Sequence, residues 1–67
     1  MRVYTGKELC RLLESQGWEL LRIRGSHHVY GKHTCIERIT VPVHGNSTLA
    51  RGLTRHILAI VDRTGGG

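Results

Sequence analysis

The chain has 67 residues and carries ten Lys and Arg against five Asp and Glu, a formal net charge of +5. A chain this short forms one domain, because it buries only about 60% of its unfolded surface and cannot supply a second core. The charge favours nucleic acid or an acidic protein as partner, and no apolar run approaches the roughly 20 residues that a membrane helix requires.

The first predicted element is a helix that starts after Thr5. The run Thr5-Gly6-Lys7-Glu8 has the spacing of a capping box, in which the threonine hydroxyl and the glutamate each accept a backbone N–H. Leu9, Leu12 and Leu13 then recur at helical spacing, and Gly17 supplies the helix end.

Three strands follow in the predicted order. They cover residues 18–24, 27–32 and 39–43, where β-branched and other apolar residues alternate with polar ones. Gly25 and Ser26 turn the chain between the first two strands, and residues 31–38 are predicted to form a polar connection. Pro42 cannot donate to a ladder, so the third strand is expected at a sheet edge.

The last predicted element is a helix with a single apolar face. That face consists of Leu49, Leu53, Ile57, Ile60 and Val61, and Gly52 is expected to mark where the regular helix begins. Residues 65–67 are all glycine and are expected to form a disordered tail behind a single domain of residues 1–64.

The order helix, three strands, helix predicts an α+β fold with two layers. Each helix offers one apolar stripe, so both should cover the same face of a three-stranded antiparallel sheet. The other face would stay open, and its polar side chains make it the natural place for a polar ligand.

Three short stretches, in this order and at this spacing, resemble the HicA family of bacterial toxins. They are Gly17-Trp18, residues 24–30 (Arg-Gly-Ser-His-His-Val-Tyr), and residues 40–44 (Thr-Val-Pro-Val-His) before a basic helix. The resemblance covers nearly the whole chain. It implies a fold like that of double-stranded-RNA-binding domains, cleavage of messenger RNA without metal or other cofactor, and an acidic HicB-type antitoxin as protein partner.

The resemblance also implies a catalytic residue, the histidine of the Gly-Ser-His stretch, which is His27 here. His28, His44 and Gly25 are candidate accessory residues. The candidate RNA-binding residues are Arg22, Arg24, Tyr30, Lys32, Arg51 and Arg55. The chain departs from the family pattern at Thr34, where a proline is frequent, and in residues 52–55, which bears on the packing of the second helix.

The strand pattern and the resemblance disagree about the two adjacent histidines. Neighbouring residues of a strand point to opposite faces, so His27 and His28 cannot both line one surface of a regular strand. Val29 has the character of a core residue and shares a side with His27, so alternation favours His28 for the open face. The resemblance favours His27, and we follow it.

Other functions compatible with the composition are a non-catalytic RNA-binding module and a domain that only docks an acidic protein. A metal site could use His27, His28, His33, Cys35 and His44, yet their spacing matches no known zinc pattern. Cys10 and Cys35 lie outside any CxxC motif, so we expect reduced thiols and a cytoplasmic protein.

Overall fold

A computed structural model describes residues 2–65, which form a helix, one three-stranded antiparallel sheet and a second helix, in that order along the chain. The elements are α1 (Gly6–Ser15), β1 (Glu19–Arg24), β2 (His27–Lys32), β3 (Cys35–Pro42) and α2 (Arg51–Gly65). The strands lie in the order β1-β2-β3, so β2 is central and β3 is an edge, as Pro42 predicted. The predicted α+β fold with a three-stranded antiparallel sheet is confirmed.

The start of α1 is fixed by the capping box that the sequence predicted. The Glu8 amide donates to Thr5 Oγ1 at 3.1 Å, and the Thr5 amide donates to Glu8 Oε1 at 2.9 Å. Leu9 and Leu13 are fully buried on the inner side of the helix. Gly17, with φ of +92°, then reverses the chain in a conformation that favours glycine.

The third strand begins earlier than the sequence predicted. Residues 31–38 do not form a long connection: only His33 and Thr34 lie in the turn, and β3 already starts at Cys35. The polar character of this stretch was misleading because it belongs to an edge strand with one open face, where polar residues are expected.

A β-bulge in β1 changes which residues share a face. Leu20 pairs with Tyr30, but the next pair is Arg22 with Val29, so Leu21 is the extra residue. In a regular strand Leu20 and Arg22 would lie on the same face, and the insertion puts them on opposite faces.

Both helices cover the same face of the sheet. The core contains Leu9 and Leu13 from α1, Tyr30 from β2, and Ile57 and Ile60 from α2, all at most 5% exposed. A short bridge between Thr5 and Thr48 ties together the segments that precede the helices.

The second helix begins at Arg51, one residue before the predicted start at Gly52. It ends at Gly65, which was predicted to be the first residue of the glycine tail. The rest of the predicted tail, residues 66 and 67, lies outside the described residues. Within residues 2–65 no helix has the length and apolar character needed to cross a bilayer.

Candidate functional site

The open face of the sheet carries a shallow depression of about 470 Å³. Its lining consists of Arg22, Arg24 and Leu21 from β1, His27 and Val29 from β2, and Arg38 and Thr40 from β3. We call this the arginine depression. None of its lining residues is acidic, so the three guanidinium groups give it a positive potential.

The bulge at Leu21 brings Arg22 and Arg24 into the arginine depression. Residues that lie directly opposite each other in a sheet share a face. Arg22 is opposite Val29, and Arg24 is opposite His27, so all four point away from the helices.

The two adjacent histidines lie on opposite faces, with His27 on the open one. His28 pairs with the buried Val41, and its Nδ1 lies 3.9 Å from the Sγ of Cys10 on α1. The alternation argument from Val29 placed the two histidines the wrong way round. Val29 is 8% exposed although it lies on the open face, because the side chains lining the arginine depression cover it.

Tyr30 lies in the core and not on the RNA-facing surface that the sequence analysis assigned to it. The residue is 1% exposed, and its hydroxyl donates to Glu14 Oε2 at 2.8 Å. Burial, with help from the contacts to Cys10 and Glu14, raises the pKa of Tyr30 well above its usual value. Neither face of the ring is accessible to a nucleic-acid base, so Tyr30 is not part of the candidate RNA-binding surface.

Three other candidate RNA-binding residues lie apart from the arginine depression. Lys32 places its Nζ 5.8 Å from the centroid of the Trp18 ring, against the edge of the core. Arg55 lines a groove between the two helices, in the layer that covers the other face of the sheet. Arg51 is the first residue of α2 and is exposed, but it is not among the lining residues.

Arg38 belongs to the arginine depression and was missed by the sequence analysis. It lies opposite Gly31, and a Cβ at Gly31 would be 2.7 Å from Leu21 Cδ1 and 3.3 Å from Arg38 Cδ. The missing side chain therefore lets Leu21 and Arg38 lie across β2 on the open face. Arg38 and Thr40 are two residues apart in β3 and therefore lie on the same face of the sheet. The predicted strand began only at residue 39, so this relation could not be used.

The His27 end of the sheet also holds His44. The Val43 amide donates to the Ser26 carbonyl at 2.7 Å, and His44 Nε2 lies 3.4 Å from Ser26 Oγ. Gly25 opens the two-residue turn before His27 with φ of +60°, as expected of a type II′ hairpin turn. No neighbouring atom lies within 4 Å of a Cβ built on Gly25, so backbone conformation accounts for a glycine there.

The remaining candidate chemistry concerns the thiols and a metal site. Both cysteines are free, and burial raises the pKa of the Cys10 thiol. Among residues 2–65, no three His, Cys, Asp or Glu side chains come together as a metal site would require.

The chain matches a known family of proteins. A family model described as the HicA toxin of bacterial toxin-antitoxin systems matches residues 6–62, which run from the first residue of α1 to the last turns of α2. No curated protein matches the chain.

Proposed function

The chain belongs to the HicA family of toxins from bacterial toxin-antitoxin systems, and on this basis we propose that it is a toxin that cleaves messenger RNA. It acts as an endoribonuclease and uses His27 for proton transfer, with no metal ion. Its activity is held in check by an acidic protein of the HicB type, for which the net charge of +5 makes the chain a suitable partner.

The observation that carries this proposal is the position of His27 in the arginine depression. The imidazole shares that surface with Arg22, Arg24 and Arg38. Cleavage of RNA by its own 2′-hydroxyl needs a base for the hydroxyl proton and positive charge for the phosphorane that forms. Imidazole is the side chain best suited to proton transfer near neutral pH, and guanidinium groups bind phosphate oxygens through paired hydrogen bonds.

The chemical step that follows from this arrangement is a transesterification. His27 takes the proton of the 2′-hydroxyl, the oxygen attacks phosphorus, and the bond from phosphorus to the 5′-oxygen breaks. The 5′-oxygen leaves with a proton from a group other than His27, so the products are a 2′,3′-cyclic phosphate and a free 5′-hydroxyl. The arginines stabilise the added negative charge of the transition state.

The adjacent histidines supply a matched pair of variants to test the proposal. We expect His27→Ala to lower the rate of RNA cleavage by about 10² to 10⁴, the usual cost of removing an acid-base group. His28→Ala removes the same side chain from the neighbouring position, but from the helix-covered face beside Cys10. It should retain near-normal cleavage if the domain remains folded.

The measurement is the initial rate on a labelled single-stranded RNA, with the termini of the products identified. Far-UV circular dichroism must first show that both variants are folded. Loss of activity in His28→Ala but not in His27→Ala would contradict the role of His27. If the wild-type protein binds RNA but does not cleave it, the chain is instead a non-catalytic RNA-binding module.

A further inference from the structure

His44 is held at the same end of the sheet as His27 by two contacts with Ser26, in the turn between β1 and β2. The backbone bond from Val43 to Ser26 pins the start of the β3–α2 loop to the β1–β2 turn. The side-chain contact between Ser26 Oγ and His44 Nε2, at 3.4 Å, then orients the imidazole. Ser26 directly precedes His27, and His27 pairs with Pro42, two residues before His44.

The proposed cleavage needs a second proton-transfer group that His27 cannot supply. In an in-line displacement the attacking 2′-oxygen and the leaving 5′-oxygen stand on opposite sides of phosphorus. One imidazole that removes a proton on the first side cannot deliver a proton on the second side in the same step. A separate acid is therefore expected near His27.

The other histidines lie too far from His27 or on the wrong face. His28 contacts Cys10 on the helix-covered side. His33 follows β2 at its far end, and a strand of six residues separates it from His27 by roughly 20 Å. His56 is on α2, within the helix layer.

We propose that His44 is the general acid of the reaction and that Ser26 is its positioning residue. In the protonated ring, Nε2 donates to Ser26 Oγ, and Nδ1 is the nitrogen that gives its proton to the 5′-oxygen as the P–O bond breaks. The proton that leaves the 2′-hydroxyl stays on His27, so each imidazole changes by one proton. In the strand register, His27 lies opposite Pro42, two residues before His44, and Arg24 lies opposite His27. The inference rests on the proposed ribonuclease function.

The first test compares His44→Gln with His33→Gln, the same change at an exposed histidine at the other end of the sheet. We expect His44→Gln to slow cleavage of ordinary RNA by about 10² to 10⁴ and His33→Gln to leave the rate near normal. The wild-type rate should fall at both low and high pH. His44→Gln should lose the fall at high pH, because no acid remains to be deprotonated.

The decisive substrate is an RNA with sulfur in place of the 5′-bridging oxygen at one linkage. A thiolate leaves without being protonated, because thiols are far more acidic than alcohols. On this substrate His44→Gln should cleave at close to the wild-type rate, whereas His27→Ala should remain slow.

Ser26 is tested by Ser26→Ala and Ser26→Thr. Losing one hydrogen bond to His44 should lower kcat by roughly two- to tenfold in Ser26→Ala and change the pH at which the rate falls on the alkaline side, with KM unchanged. Ser26→Thr keeps a hydroxyl and should restore both. If Ser26 had a purely structural role, the pH at which the rate falls on the alkaline side would not change.

The outcomes separate this inference from the proposed function. If the wild-type protein cleaves RNA and His27→Ala does not, but His44→Gln is as fast as the wild type, His44 is not the acid. Equal losses by His44→Gln on the oxygen and sulfur substrates would also overturn the assignment. Absence of cleavage by the wild-type protein would remove the proposed function, and this inference with it.

Discussion

At the level of single residues, the glycine at position 31 makes room for the side chain of Arg38 on the neighbouring strand. Gly31 leaves a gap on the open face of β2 that Leu21 and Arg38 fill from either side. Arg38 also donates to the Ile36 carbonyl at 3.2 Å, which restrains its guanidinium at the rim of the arginine depression. Under the proposed function, this position makes Arg38 a candidate to contact RNA phosphate.

We predict that Arg38→Ala weakens RNA binding and reduces its salt dependence. Each phosphate contact on a single strand contributes about 0.7 to the slope of log affinity against log salt, so this slope should fall by about that amount. Arg11→Ala is the matched control, because Arg11 is exposed on α1 in the helix layer. Titration of a labelled RNA at several salt concentrations gives both slopes, and equal changes in the two variants would refute a specific role for Arg38.

The residues of the site could be predicted only in part. The resemblance pointed to His27, which lies in the arginine depression together with the predicted Arg22 and Arg24. Alternation alone could not do so, because the bulge at Leu21 changes the faces of β1 and because Val29 is buried on the open side. Tyr30 was misplaced because an aromatic residue with a polar tip suits a core and a binding surface equally well.

At the scale of secondary structure, local signals predicted element type better than element ends. The capping box, the apolar helical stripes and the two-residue turn at Gly25 all depend on neighbours in sequence, and each is present. The early start of β3 depends on pairing between Cys35 and Lys32 across the β2–β3 turn. Tertiary pairing of this kind has no signature in the local pattern.

We predict that Thr5→Ala destabilises the domain by about 1 kcal/mol, the usual cost of losing a helix N-cap. The Thr5 hydroxyl accepts from the Glu8 amide, and alanine would leave that amide without its partner. Urea denaturation followed by circular dichroism measures the change. Thr34→Ala, at an exposed position in the β2–β3 turn, should stay within about 0.5 kcal/mol of the wild type. Comparable losses in the two variants would show that the cap contributes nothing specific.

At the scale of the whole molecule, the two layers have separate tasks. The helices supply the apolar side chains that bury one face of the sheet, including Leu9, Leu13 and Ile57. The other face is not covered by a helix and carries the arginine depression. The Glu37–Arg63 ion pair, at 2.6 Å, joins the two layers and lowers the pKa of the Glu37 carboxyl. Arg63 is thereby engaged within the protein, while Arg22, Arg24 and Arg38 line the arginine depression together with His27.

The final prediction is that RNA cleavage by the intact protein survives removal of divalent metal ions. Proton transfer through imidazole, together with the charge of the three arginines in the depression, supplies what a metal ion would otherwise supply to the phosphorane. We therefore expect equal initial rates in EDTA and in magnesium. The control for contaminating ribonuclease is His27→Ala purified in the same way, which should be inactive under both conditions. Loss of wild-type activity in EDTA, restored by zinc, would reject the metal-independent proton-transfer mechanism. A rate that is unchanged in EDTA but equal in the His27→Ala preparation would mean that the observed cleavage does not come from this protein.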